Sequence, residues 1–226
     1  MDIAGLQKTT LLDYPGHIAC TVFLPGCNLR CPFCHNASLV LRPQTMMPQE
    51  ELMAFLQTRR RKLDGVCITG GEPTLHKDLP QLMKSINDLG FLVKLDTNGT
   101  RPDVLKGILE EGLADYVAMD IKNSPEKYAE TCGGPDVLDA VRESVKLLED
   151  SAVEHEFRTT VLHPYHPPAD LAAIGQWLRG TRHYYIQAFV DSGDLIGSGQ
   201  ALSEAQMQAL LDAVKPCIPN AQLRGI

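Results

Sequence analysis

No stretch of this chain is long and apolar enough to be a membrane-spanning helix, which takes about 20 consecutive apolar residues. The opening residues, Met1-Asp2-Ile3-Ala4-Gly5-Leu6-Gln7-Lys8, lack the basic start and apolar stretch of an export leader. Positive charge is scarce: 21 Lys and Arg stand against 28 Asp and Glu, a net charge of -7. No basic stripe is present to release phosphate counterions, which argues against nucleic acid. The one basic run, Arg59-Arg60-Arg61-Lys62, reads as a solvated helix end, where positive charge suits the dipole. Internal repeats and low-complexity segments are also missing. These absences predict a cytoplasmic protein with no membrane and no nucleic-acid partner. Thiols stay reduced in that compartment, so the odd count of seven cysteines favours metal or catalytic use over disulfides.

What is present is an ordinary globular composition, 44% hydrophobic and 22% charged over 226 residues, enough to bury a core unaided. The most informative segment is Cys27-Asn28-Leu29-Arg30-Cys31-Pro32-Phe33-Cys34-His35-Asn36. Three thiols spaced C-x3-C-x2-C, with no fourth close by in sequence, can hold three corners of a cubane iron–sulfur cluster. The fourth iron is then open to another ligand, whereas structural zinc is closed by four.

Strand and helix patterns alternate along the chain. Strands are predicted at 17–24, 65–69, 91–95, 116–121, 153–161 and 184–189, with a short last one at 222–226. Helices are predicted at 48–61, 78–89, 102–111, 137–150, 169–179 and 203–214, the last with Ser203 as N-cap. One domain over 1–226 is expected, with 1–16 as an N-terminal extension and 203–226 as a C-terminal helix and tail. The alternation implies an α/β fold of parallel β-α units with right-handed crossovers. About six units do not fill an eight-fold barrel, which leaves a partial, open barrel or a doubly wound sheet. In both, ligands sit where the strands end.

Polar clusters follow the strands. Gly70-Gly71-Glu72-Pro73 puts two glycines and a rim carboxylate after the second strand, although a tight turn would read the same. Asp96-Thr97-Asn98-Gly99 follows the third, where Asn-Gly is also a plain turn pair. Asp120 and Lys122 share a face at the end of the fourth strand, a cavity pair or a surface pair of little weight. Arg158 lies within the fifth strand and needs a partner unless it points to solvent. Together the clusters describe a cavity for a zwitterion. Cys20 and Cys67 read as core thiols, and Cys132 and Cys217 as having no metal-ligand neighbour. The prolines of His163-Pro164-Tyr165-His166-Pro167-Pro168 favour a rigid loop over a metal pair.

On these residues the chain resembles the radical S-adenosylmethionine (SAM) superfamily. Cys27, Cys31 and Cys34, with Phe33 before the last, match its cluster loop; Gly70-Gly71-Glu72 matches the motif that contacts the SAM amino group. The resemblance implies a partial (β/α)6 open TIM-like barrel and a 4Fe–4S cluster on the three cysteines. A narrower likeness is to glycyl-radical-enzyme activases. Cys34-His35-Asn36, Asp96-Thr97-Asn98-Gly99 and Met119-Asp120-Ile121-Lys122 look like the pyruvate formate-lyase type. The opening Leu6-to-Gly16 segment looks more like the activating protein of anaerobic ribonucleoside-triphosphate reductase.

In such activases a reduced cluster cleaves SAM, and the deoxyadenosyl radical takes a hydrogen atom from a glycine of a partner enzyme. The resemblance places Phe33 and His35 against the adenosyl group. It sets Asp96, Asp120, Lys122 and Arg158 around the methionine end, with a monovalent cation near Asp96, Thr97 and Asp120. It makes Gln187 the candidate replacement for a sixth-strand His that the formate-lyase type carries. It also implies a flavodoxin or ferredoxin-type electron donor, and it names no general base. The rivals are a small-molecule radical SAM enzyme such as 7-carboxy-7-deazaguanine synthase and, from another class, a zinc-binding interaction module.

Overall fold

The structure is a computed structural model that describes residues 1–34, 36–41, 46–133 and 136–226. Its strands are β1 (Asp2–Ile3), β2 (Gly5–Thr10), β3 (Ala19–Leu24), β4 (Met47–Pro48), β5 (Gly65–Gly70), β6 (Leu92–Thr97), β7 (Tyr116–Asp120), β8 (Glu154–Val161), β9 (Tyr184–Ala188) and β10 (Gln222–Arg224). Its helices are α1 (Ala37–Leu41), α2 (Gln49–Arg59), α3 (Leu79–Asp88), α4 (Pro102–Glu110), α5 (Tyr128–Cys132), α6 (Leu138–Asp150), α7 (Pro168–Trp177) and α8 (Glu204–Val214). The main sheet runs β2-β3-β5-β6-β7-β8-β9-β10. Every neighbouring pair is parallel except β2 with β3. Six βα units, from β3 through α8, make the expected open α/β barrel, with β2 and β10 as its edges.

Strand alternation explains where the core sits. In β5 through β9, Val66, Ile68, Val93, Leu95, Val117, Met119, Phe157, Val161, Tyr184 and Ile186 are buried in the hydrophobic core. The residues between them, Thr69, Asp96, Asp120, Arg158, Thr160 and Gln187, line a central cavity. Successive side chains of a strand point to opposite faces. One face of the sheet is therefore apolar and packs under the helices, while the other is polar and faces inward. Helix periodicity supplies the matching surface: α3 buries Leu79, Leu82, Met83 and Ile86 on one side. Each such fully buried side chain contributes about 1.5–3 kcal/mol. At the C-terminal end, Ser203 and Gln206 form a capping box that starts α8.

The predicted strands and helices appear with their ends shifted by a few residues. Five shorter pieces were not anticipated. β2 is an exposed, polar edge strand in the segment read as an extension, and β1 pairs with β4 over two residues. Helices α1 and α5 have five residues each. None carries enough apolar periodicity to announce itself. β10 is held by its own Arg224, whose guanidinium forks onto buried Glu156 of β8 at 2.7 and 2.9 Å. No described helix is long and apolar enough to cross a membrane.

Candidate functional site

The loop after β3 brings Cys27, Cys31 and Cys34 onto one wall of a cavity of about 420 Å³, a size that suits a small-molecule ligand. Cys31 is buried and the other two are half-buried. The loop turns between its last two thiols, with Cys34 N donating to Cys31 O at 3.0 Å. Its base is locked to the second motif. Gly71 N donates to Leu24 O at 2.9 Å and Glu72 N to Gly26 O at 2.8 Å. A Cβ on Gly71 would lie 1.9 Å from Gly26 O, and one on Gly70 would lie 2.3 Å from Leu24 O at a φ of +118°. Only glycine permits that approach. Farther along, Arg30 N donates to Cys132 O at 2.8 Å and Gly197 N to Pro32 O at 2.7 Å. The cysteine loop is thus held from β5, from α5 and from the segment after β9.

Glu72 does not stand at the rim, as expected from its place in the motif. Its side chain is fully buried and accepts from Thr74 N, Thr74 Oγ1, Thr97 Oγ1 and Asn98 N. Burial pushes its carboxyl up, against the pull of these donors. Gly71 lies against Gly26 of the cysteine loop, and the next side chain, Glu72, is turned under the Thr97-Asn98 corner. Gly70 and Gly71 line the cavity themselves.

The charged residues form one connected string. Arg158 donates through Nε to Asp120 at 2.6 Å and through Nη2 to Asp96 at 3.1 Å. Asp120 also takes Lys122 Nζ at 2.8 Å, and Asp96 takes Lys94 Nζ. Arg158 points inward and is paired, and Asp120 with Lys122 is a cavity pair, not a surface pair. Burial would raise the Asp120 carboxyl, but Arg158 and Lys122 outweigh it and hold it below the usual carboxylate range. Burial works against the Lys122 ammonium too, and Asp120 more than restores it. Three cations alternate with two carboxylates, so the string carries positive charge in excess, which suits a ligand carboxylate. All four oxygens of Asp96 and Asp120 face side chains of this chain. An added monovalent cation there would compete with them.

Phe33 is buried against Tyr165 and His166, with ring centroids 5.8 and 5.6 Å away, and it still lines the cavity. Gln187 is on the cavity wall. His35 lies outside the described residues. His166 belongs to no metal pair: its Nε2 meets Lys122 O at 2.9 Å and its Nδ1 accepts from Leu162 N at 3.3 Å.

Two further cysteines stand close to the site. Cys132 lies beside Cys31, and the interaction between the two thiols lowers the pKa of Cys31 and raises that of Cys132. Cys67 is a buried core thiol, as read, and it donates to Asp96 Oδ1 at 3.7 Å. Lys94 was missed. Its signal was present, since it precedes Asp96 by two residues on a strand and so shares its face. Cys132 gave no signal in sequence spacing.

The donor set fits an iron–sulfur cluster: three soft thiols on one wall, with a polar cavity beyond them. Among the described residues, no three His, Cys, Asp or Glu side chains are grouped closely enough to hold a single metal ion.

The cavity ends on three thiols at one side and on a string of alternating charges at the other, donor types that suit a metal cluster and a zwitterion. Here they belong to a radical SAM protein. The model of the Radical SAM superfamily matches residues 21–178, and the chain belongs to that superfamily. Membership implies a 4Fe–4S cluster and SAM. The chain is similar to a Methanocaldococcus jannaschii protein named only as a candidate glycyl-radical enzyme activating enzyme, at 33% identity over 192 residues, 83% of this chain and 79% of that one. It is also similar to the 7-carboxy-7-deazaguanine synthase of Thermococcus kodakarensis, at 29% identity over 150 residues, 57% of this chain and 58% of that one. A radical SAM methyltransferase from Sphaerobacter thermophilus shares the fold, with a TM-score of 0.70 and 15% identity over 93% of this chain and 67% of that one.

Proposed function

We propose that this radical SAM enzyme is a glycyl-radical-enzyme activase, with anaerobic ribonucleoside-triphosphate reductase as the partner that its N-terminal segment favours. The observation that carries the reading is the likeness to the M. jannaschii protein, which spans most of both chains, whereas the likeness to the deazaguanine synthase spans little more than half of each. Bound together, the cluster and SAM would supply one-electron reductive cleavage of the sulfonium, and with it the capacity to take a hydrogen atom from the partner.

In this reading Cys27, Cys31 and Cys34 hold the cluster at the cavity wall. The backbone at Gly70 and Gly71 takes the amine end of the ligand, with Glu72 fixing that corner from beneath. Lys122 and Arg158 receive its carboxylate, and Asp96 and Asp120 orient those cations. Phe33, with Tyr165 and His166 behind it, packs on the adenosyl side and excludes water there. Gln187 contacts the ligand from the last wall. The gap between β2 and β10 admits a loop of the partner protein. Electrons come from a flavodoxin or ferredoxin-type donor.

The test is anaerobic reconstitution, reduction and mixing with candidate glycyl-radical proteins. A SAM-dependent glycine-centred radical signal in one of them is expected. Methionine and 5′-deoxyadenosine formed with every candidate, but never a protein radical, would remove the activase reading and leave the small-molecule one.

A further inference from the structure

Asn98 occupies the corner after β6, where three parts of the site meet. Its backbone N donates to Glu72 Oε2 at 2.6 Å. Its side-chain Oδ1 accepts from Thr100 N at 3.0 Å and from Thr100 Oγ1 at 2.7 Å. A backbone N–H can only donate, so the oxygen of the amide must face Thr100. The Nδ2 group is thereby turned the other way, 3.1 Å from Asn28 Oδ1 and 3.8 Å from Cys27 Sγ. Asn28 closes the ring by donating to Thr100 Oγ1 at 2.9 Å. Glu72, Asn98 and Thr100 are all buried. The arrangement therefore has no freedom to rotate the amide without stranding a buried donor.

We infer that Asn98 is a positioning residue for the cluster: it ties the buried Glu72 carboxylate to the Cys27 sulfur and aims an N–H donor at that sulfur. The inference rests on the reading of Cys27 as an iron ligand. An N–H directed at a cluster thiolate stabilises the state with more negative charge, which is the reduced one, and so raises the reduction potential. Leu29 N, 3.4 Å from the same sulfur, supplies a second donor from the loop itself. Asn98 thereby connects the Glu72 end of the ligand-binding corner to the readiness of the cluster to accept an electron.

Two variants test this. Asn98→Asp keeps the shape and both Thr100 bonds but points an acceptor at Cys27. Asn98→Ser is neutral and too short to reach it. After anaerobic reconstitution, iron and sulfide per chain are measured, followed by a redox titration monitored by the signal of the reduced cluster. Both variants should hold the wild-type iron content with a midpoint shifted to more negative potential. In the iron-free protein, Cys27 should be alkylated more slowly in Asn98→Asp than in wild type, because a carboxylate in place of the N–H donor disfavours the reactive thiolate. An unchanged midpoint in a fully loaded variant, with unchanged Cys27 alkylation, overturns the inference. If Asn98→Asp does not load, Asn98→Ser decides by the same measurements, and if neither loads, the alkylation rates decide. Failure of the ligand reading looks different: Cys27→Ala would then retain its cluster.

Discussion

Asp120 and Arg158 are register partners on β7 and β8, and their side chains meet at 2.6 Å inside the barrel. The same guanidinium continues to Asp96 on β6. One side chain thus ties the ends of three adjacent strands, and the alternation of charges along them is a consequence of strand register.

Arg158→Met should be strongly destabilising. It leaves two largely buried carboxylates short of a cation, and breaking a buried pair from one side costs about 3–5 kcal/mol. The expected outcome is a lower urea midpoint with an unchanged slope. Arg158→Lys should recover only part of the loss, because a single ammonium cannot reproduce the fork to both carboxylates. Full recovery by Lys would show that charge alone matters.

Gly71→Ala should separate the cluster loop from its support. The added Cβ meets the Gly26 carbonyl, which is backbone and cannot rotate away. Overpacking of this kind costs about 1–3 kcal/mol. Iron bound per chain after reconstitution should fall well below the wild-type level. A fully loaded variant of normal stability would contradict the close packing.

Glu72→Gln tests the inward placement of that side chain. The amide nitrogen cannot accept, so at least one of the four donors around it loses its partner, at about 1–3 kcal/mol. The melting temperature should drop even in the protein without SAM. If only SAM affinity changed, with stability intact, the carboxylate would belong in the cavity after all.

Cys132→Ala separates a neighbour of the cluster loop from a ligand. The thiol contacts Cys31 and does not line the cavity. The variant should keep its iron, while Cys31→Ala should lose most of it. Equal losses would make Cys132 a fourth ligand and close the vacancy.

His166 should give stability a pH dependence. Both ring nitrogens are bonded as in the neutral form, and burial, its largest influence, lowers its pKa. The folded value lies below the unfolded value of about 6.5. The contribution is therefore complete above about pH 6.5 and is lost as pH falls through the folded value. Between about pH 7.5 and about pH 5.5 the melting temperature of wild type should fall more than that of His166→Gln. Parallel curves would rule the residue out as the cause.

Much of the barrel was legible because β-strand and helix periods are short-range signals. The strands from residue 65 onward and their following helices could be placed from alternation and turn residues alone. The polar residues at their ends could be recognised by position. β2 could not, since Gln7, Lys8 and Thr9 face solvent and give an edge strand no apolar pattern. Lys94 could have been read from its two-residue spacing to Asp96 on one strand. The roles of Glu72 and Cys132 depend on contacts between segments far apart in the chain. Glu72 is recognisable as a motif residue, but no local pattern encodes the direction of its side chain or the contact of Gly71 with Gly26.

That contact has a consequence for transplanting the site. The cysteine loop looks portable: ten consecutive residues bearing all three thiols. Its floor, however, is the main chain of residues 70–72, contributed by the neighbouring strand. Grafted alone onto another barrel, the loop would arrive without the surface that shapes it. The smallest transferable unit is the pair of adjacent strand ends, moved together with their two glycines.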